Sequence, residues 1–189
     1  MSDNNDCHTE KQHIGSVLFL SANDTGHGHK SIVDALQQQI TKLDPDIRIS
    51  VVDGFTLGKK MLHMASSLYN PLVANMPTLW GLCYRMGNRF TKYVNAFVSK
   101  SIRSKLLSCL ENACPDVIVS VHGIFVGSVL NILEEEQLKI PFITLIADLD
   151  NVSALWADDR AKYTLCPSME SKRTMRSLGI PEEKLKLVG

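Results

Sequence analysis

The chain has 189 residues, is 44% hydrophobic, and balances 20 Lys and Arg against 20 Asp and Glu, a formal net charge of zero. That length supports one α/β domain with a full core, and the charge balance argues against a general polyanion binder. No apolar run approaches the ~20 residues of a membrane-spanning helix. The five cysteines include no CxxC pair, which excludes a zinc knuckle and a disulfide framework and points to reduced thiols in a cytoplasmic setting.

Residues 1–13 are polar and acidic, read as a disordered leader rather than a signal peptide, and the domain proper is expected over 14–189. Ser16 to Ser21 reads as a buried strand. Ser31 to Leu43 reads as a helix, with Ile32, Ala35, Leu36, Gln39 and Ile40 on a 3.6-residue period. Ile47 to Val52 is a second strand, closed by Asp53 and Gly54. After a long insertion over about 55–110 come a strand at Asp116 to Val121, a helix at Ile124 to Gln137 and a strand at Pro141 to Ala147. A further strand, Ala161 to Cys166, leads into a helix from Met169 to Leu178 with Gly179 as its stop, and Lys184 to Val188 closes the chain as a short strand. The β-branched runs are continuous rather than alternating, as expected when both faces of a sheet are covered. This pattern predicts an α/β fold, a Rossmann-like, doubly wound, mostly parallel sheet. Ligands of such sheets bind beyond the carboxyl ends of the strands. Those ends carry the 23–29 loop, Asp53-Gly54, His122-Gly123, Asp148 to Asp150 and Pro167-Ser168.

The loop Asn23-Asp24-Thr25-Gly26-His27-Gly28-His29-Lys30-Ser31 begins like a dinucleotide fingerprint but lacks its third glycine. It ends like a P-loop, except that His29 stands where glycine should precede the lysine. A metal site of Asp24, His27 and His29 would lack a fourth ligand fixed by spacing. What remains is a glycine-rich turn where backbone can approach a ligand, with an imidazole at the mouth of a helix, suited to general-base work. The alternative is that these histidines only cap the helix. Two readings also stand for His122, facing the cleft or buried and satisfied. Asp148 and Asp150 are either paired carboxylates or loop-ordering groups, and Asp53 is read as ordering its turn.

The insertion holds no Asp or Glu between Gly54 and Leu110 but contains Lys59, Lys60, Arg85, Arg89, Lys92, Lys100, Arg103 and Lys105, interleaved with Trp80, Tyr84, Phe90, Tyr93 and Phe97. Val94, Phe97, Val98, Ile102, Leu106 and Leu110 form a helical stripe. Cations beside large apolar groups suit an interfacial element on anionic lipid, with Lys59, Lys60, Trp80, Arg85, Arg89 and Lys92 as the membrane-binding set. An ordinary helical layer with a basic face is the plainer alternative. The same composition suits RNA, but no recognised nucleic-acid motif accompanies it, so no nucleic acid is expected.

The run Leu18 to Ser31, Pro115-Asp-Val-Ile-Val-Ser120, Ala147-Asp148 with Trp156 following, Tyr163-Thr-Leu-Cys-Pro-Ser168, Leu178-Gly-Ile180 and Lys186-Leu-Val-Gly189 together resemble the N-terminal region of the monogalactosyldiacylglycerol synthases and processive diacylglycerol glucosyltransferases. The resemblance implies the N-terminal half of a GT-B fold, with the C-terminal donor-binding domain lying beyond Gly189. It implies transfer of a hexose from a nucleotide-sugar such as UDP-sugar to diacylglycerol, at the cytoplasmic membrane surface, with no metal and no cofactor besides the co-substrate. Carried over, His29 is the base and Asp24 orients it. Gly26 and Gly28 shape the loop, and Trp156 lines the acceptor site with His27, His122 and Asp148. His27 departs from the family pattern, which usually has glycine there. The runner-up is a stand-alone Rossmann-like module that binds a nucleotide or lipid without catalysis, and a metal-dependent hydrolase trails both.

Overall fold

A computed structural model of the chain describes residues 14–22, 27–58, 74–149 and 152–189. Six parallel strands form one sheet in the order β2-β1-β3-β4-β5-β6. They are β1 (Ser16–Ser21), β2 (Arg48–Asp53), β3 (Val117–Ser120), β4 (Phe142–Leu145), β5 (Tyr163–Cys166) and β6 (Leu185–Leu187). The helices are α1 (His27–Leu43), the single turn α2 (Gly54–Leu57), α3 (Pro77–Arg89), α4 (Thr91–Ala113), α5 (Val126–Glu135) and α6 (Met169–Ser177).

Alternation along each strand sends side chains to two different cores. Val17 and Phe19 of β1, with Val117 and Val119 of β3, pack beneath α1 and its Val33 and Ile32. Leu18, Leu20 and Ile118 point the other way, into a larger core with Val98, Ile102 and Leu106 of α4 and Val129 and Ile132 of α5. Both faces are covered, which is why the strands read as unbroken apolar runs. At the amino-terminal edge, Asp116 Oδ2 accepts from the Gly15 and Ser16 amides at 2.9 and 2.8 Å and from Ser16 Oγ at 3.0 Å. These bonds hold its carboxyl below the usual range and clamp β1 to β3, so that edge is structural.

Two expectations change. Helix α1 begins at His27, four residues earlier than its periodicity suggests, so Gly28 and His29 are helical rather than part of a turn. Glycine costs about 1 kcal/mol inside a helix, but that cost is offset here by a tertiary bond from His29 described below. The second concerns the segment 55–110. Phe55 and Leu57 are buried in the main core, and α4 is the crossover helix that carries the chain from β2 to β3. Its buried stripe is Val98, Ser99, Ile102, Leu106 and Leu110, while Phe97 stands 48% exposed, against its expected place in that stripe. One residue of helix rotation separates Val98 from Phe97, and the core takes the β-branched side chain. Two of the segment's cations are also committed to the fold: Arg103 pairs with Glu135 and Glu136 of α5, and Lys105 Nζ donates to the Thr56 carbonyl at 2.9 Å.

Candidate active site

The strand order places the point where the chain reverses its winding between β1 and β3. Loops diverge there, and open α/β sheets hold their ligands in that crevice. The groups that follow these two strands are His29, on the first turn of α1, and His122, just after β3. Their ring centroids lie 4.9 Å apart, with planes tilted by 49°.

Where β1 and β3 part, Val121 donates its amide to the Leu20 carbonyl at 3.0 Å, and its own carbonyl oxygen faces the first turn of α1. That oxygen is taken by His29 Nδ1 at 2.7 Å. A carbonyl can only accept, so Nδ1 carries the proton and Nε2 of the neutral ring is left with its lone pair. The contact therefore fixes which nitrogen can take a proton.

His122 is held in the opposite tautomer. Its Nδ1 accepts from the Ile124 amide at 3.3 Å, capping the 3-10 turn Gly123–Phe125, so Nε2 bears the hydrogen. Aromatic rings enclose it: Phe55 at 5.4 Å, Phe125 at 5.6 Å and Trp156 at 6.5 Å between centroids. Burial, and next the charge of nearby His29, push its pKa down to about 3. The two neighbouring rings thus carry one unprotonated nitrogen and one N–H, the acceptor and donor types that an alcohol can use.

The low His122 pKa has a consequence for stability. The unfolded ring titrates near 6.5 while the folded one stays neutral to about 3, so between those values the unfolded chain binds more protons. The penalty is absent above pH 6.5 and grows as pH falls toward 3, by at most roughly 1.4 kcal/mol per pH unit. Urea denaturation of His122→Asn at several pH values is expected to show a shallower loss across that window than the parent chain. Parallel slopes would contradict the assignment.

Behind the pair, Trp156 was expected to line the acceptor site. Its ring is only 2% exposed, packed beneath Gly123, where an added Cβ would come within 3.1 Å of the indole. It is a back wall rather than a contact surface. Its Nε1 donates to Asp148 Oδ2 at 2.7 Å, so the Asp148 carboxylate orders the β4 loop against the indole. Asp53 does what its turn reading implied, since Oδ1 caps α2 by accepting from the Phe55 amide at 2.9 Å. Gly28 is helical and open, with nothing within 4 Å of an added Cβ. Asp24, Gly26 and Asp150 lie outside the described residues, as do the side chain of His27 and, in the membrane-binding set, Lys59, Lys60 and the side chain of Trp80.

Helix α3 is built inside out. Leu79, Leu82 and Met86 are 40–52% exposed, and Met76, Phe90 and Tyr93 extend the apolar strip beyond its ends. Gly81, Tyr84 and Asn88 instead lie on its more sheltered side. Asn88 Oδ1 ties the helix to the body, accepting from Ser153 Oγ at 2.5 Å and from the Ala154 amide at 2.9 Å. Arg85, Arg89 and Lys92 are exposed beside the strip. Among the described residues no helix is long and apolar enough to cross a membrane.

Sequence reasoning missed Val121, Phe55, Phe125 and Asn88 as parts of this region. A carbonyl has no side-chain signature, and the two phenylalanines look like ordinary core. Asn88 carried no local signal.

A family model described as monogalactosyldiacylglycerol (MGDG) synthase matches residues 29–189. The chain belongs to the MGDG synthase family. Among curated relatives, the chloroplastic MGDG synthase 1 of Arabidopsis thaliana is 26% identical over 179 residues, 92% of this chain and 33% of that protein. A probable chloroplastic MGDG synthase of Nicotiana tabacum is 30% identical over 180 residues, covering 92% of this chain and 33% of its own length. The Spinacia oleracea enzyme is 27% identical, with 92% and 34% covered. The chain thus spans about one third of the length of these relatives. Among solved structures, an apo lipopolysaccharide outer core galactosyltransferase, WaaB, superposes with a TM-score of 0.48 at 11% identity, over 90% of this chain and 44% of that one.

Proposed function

We propose that this domain is the acceptor-binding, membrane-associating N-terminal half of a GT-B glycosyltransferase that moves a hexose from a nucleotide-sugar to diacylglycerol. The observation that carries the reading is the His29 imidazole, held at the sheet's switch point by Val121 so that Nε2 is free to take a proton. Membership of the family supports the substrate class. In the complete enzyme the acceptor hydroxyl donates to His29 Nε2, and its oxygen accepts from the N–H of His122. As the oxygen attacks the anomeric carbon of a UDP-sugar held by a second domain, the hydroxyl proton passes to His29 and the nucleotide diphosphate leaves with the bonding electrons. Preorganised base catalysis of this kind contributes about 10²–10⁴-fold. The chemistry needs no metal ion from this domain.

The inverted helix α3 supports peripheral docking on the cytoplasmic face of a membrane. A soluble helix normally buries its apolar stripe, whereas this one turns Leu79, Leu82 and Met86 outward beside Arg85, Arg89 and Lys92. Each cation near an anionic surface gains about 1 kcal/mol, so three give roughly a hundredfold.

Two measurements test the reading. A polypeptide joining this domain to its donor-binding domain, supplied with UDP-hexose and dispersed diacylglycerol, is expected to yield hexosyl-diacylglycerol. UDP-hexose binding without any glycolipid product would favour a binding module. In sedimentation, the 189-residue chain is expected to bind phosphatidylglycerol vesicles and to be released by high salt, while binding indifferent to lipid charge and salt would contradict the docking surface.

A further inference from the structure

The run Val117-Ile-Val-Ser-Val121 loses its apolar character at one position, Ser120, the last residue of β3. Side chains alternate along a strand, so Ser120 shares a direction with Ile118, which points into the larger core. Ser120 is fully buried. A hydroxyl taken out of water costs free energy unless it is hydrogen-bonded, and here both of its bonds go to the backbone of His122. Ser120 Oγ donates to the His122 carbonyl at 3.0 Å and accepts from the His122 amide at 3.4 Å.

We infer that Ser120 is a positioning residue for the histidine pair: it holds the Val121–His122 peptide group in the orientation that selects the tautomer of His29. The inference rests on the proposed base role of His29 and deepens it. A peptide group is planar, so the Val121 carbonyl and the His122 N–H are opposite ends of one rigid plate. His29 Nδ1 holds the carbonyl end at 2.7 Å, and Ser120 Oγ holds the N–H end. Rotation of that plate would swing the oxygen away from Nδ1–H and leave either nitrogen of His29 open to the proton. Linked hydrogen bonds also polarise one another, so the Ser120 contact makes the Val121 oxygen a stronger acceptor.

The second Ser120 bond acts on the next peptide group. The His122 carbonyl accepts there from Ser120 Oγ and also from the Phe125 amide at 3.2 Å. With the peptide groups on both sides held, His122 keeps an extended backbone, φ −143° and ψ 127°, and its ring stands 4.9 Å from that of His29. One hydroxyl therefore bears on both rings.

Thr144 provides a matched comparison in the same sheet. It is the register partner of Ser120 across β3 and β4 and is equally buried. Its Oγ1, however, has no hydrogen-bond partner among the described residues. Removing the hydroxyl at 144 reports the ordinary effect of changing a buried polar group at this depth, and removing it at 120 adds the loss of positioning.

The test compares Ser120→Ala with Thr144→Val by nitrogen-15 NMR of the histidine rings in the 189-residue chain. Ser120→Ala is expected to move the His29 Nδ1 and Nε2 signals toward each other, as the released ring exchanges between tautomers. Thr144→Val should keep the parent separation. In the complete transferase Ser120→Ala is expected to lower kcat about five- to tenfold, the worth of one hydrogen bond, with KM for UDP-hexose unchanged. Thr144→Val should leave both constants at the parent values. Circular dichroism checks folding, and if Ser120→Ala does not fold, Ser120→Cys, with its weaker donor, should give a smaller shift in the same direction. His29 signals unchanged in the folded Ser120 variant, or shifted equally by Thr144→Val, would overturn the inference. Mixed tautomers with an undiminished kcat would uphold the hold of Ser120 on the ring and remove the base role of His29, so the two failures are told apart.

Discussion

Replacing His29 by Gln in the complete transferase is expected to lower kcat by about 10²–10⁴-fold while leaving KM for the nucleotide-sugar nearly unchanged. The residue contributes one lone pair, at Nε2, made available because Nδ1–H is engaged by the Val121 carbonyl. Glutamine can still donate to that carbonyl, so α1 should keep its start at residue 27, but its amide has no basic nitrogen. The loss should therefore fall on the proton-transfer step rather than on folding or donor binding. Steady-state kinetics with vesicle-borne diacylglycerol checks this, together with sedimentation showing that membrane association persists. A kcat within about threefold of the parent would mean that the imidazole only caps its helix.

Truncation of Phe125 should have the largest effect on stability. Its ring is fully buried, 5.1 Å from Phe55 and 5.6 Å from His122 between centroids, and Gly54 is small because an added Cβ would collide with that ring. Phe125→Ala removes the transfer energy of the ring and opens a void between α2 and the 3-10 turn. Such changes cost about 3–5 kcal/mol, a large share of the roughly 5–15 kcal/mol available to a domain. The urea midpoint should fall by more than about 1 M. Because His122 loses its wall, its ring should also titrate at higher pH than the parent. A midpoint shift below about 0.3 M would show that the pocket collapses without penalty and that the wall does not hold the histidine.

The strands were legible because a parallel sheet covered on both faces leaves uninterrupted apolar runs, and β1 was predicted with its observed ends, Ser16 and Ser21. The functional edge followed from strand direction alone. Where the site lies along that edge did not, since the switch between β1 and β3 depends on pairings between residues about 100 positions apart, such as Val17 with Val117. Local propensity also misled at the start of α1, because a glycine on either side of His27 reads as a turn until the bond from His29 to Val121 is known. For α4, the expected stripe held at Val98, Ile102, Leu106 and Leu110 and failed only at Phe97, a side chain suited to the core by size that stands outside it. Absence of acids in 54–110 suggested one basic face, yet Arg103 is paired with two glutamates from α5, beyond the segment. Charge counted along a chain says little about charge after folding when helices exchange partners across an interface.

The central claim is that the sheet presents an imidazole whose outer nitrogen is free to accept a proton. Nitrogen-15 NMR of the histidine rings in the 189-residue chain, near neutral pH, reads this directly. The account predicts that the His29 Nδ1 signal is that of a protonated, pyrrole-like nitrogen and the Nε2 signal that of an unprotonated, pyridine-like one, with His122 showing the reverse pattern. A His29 ring protonated on Nε2 alone would contradict it.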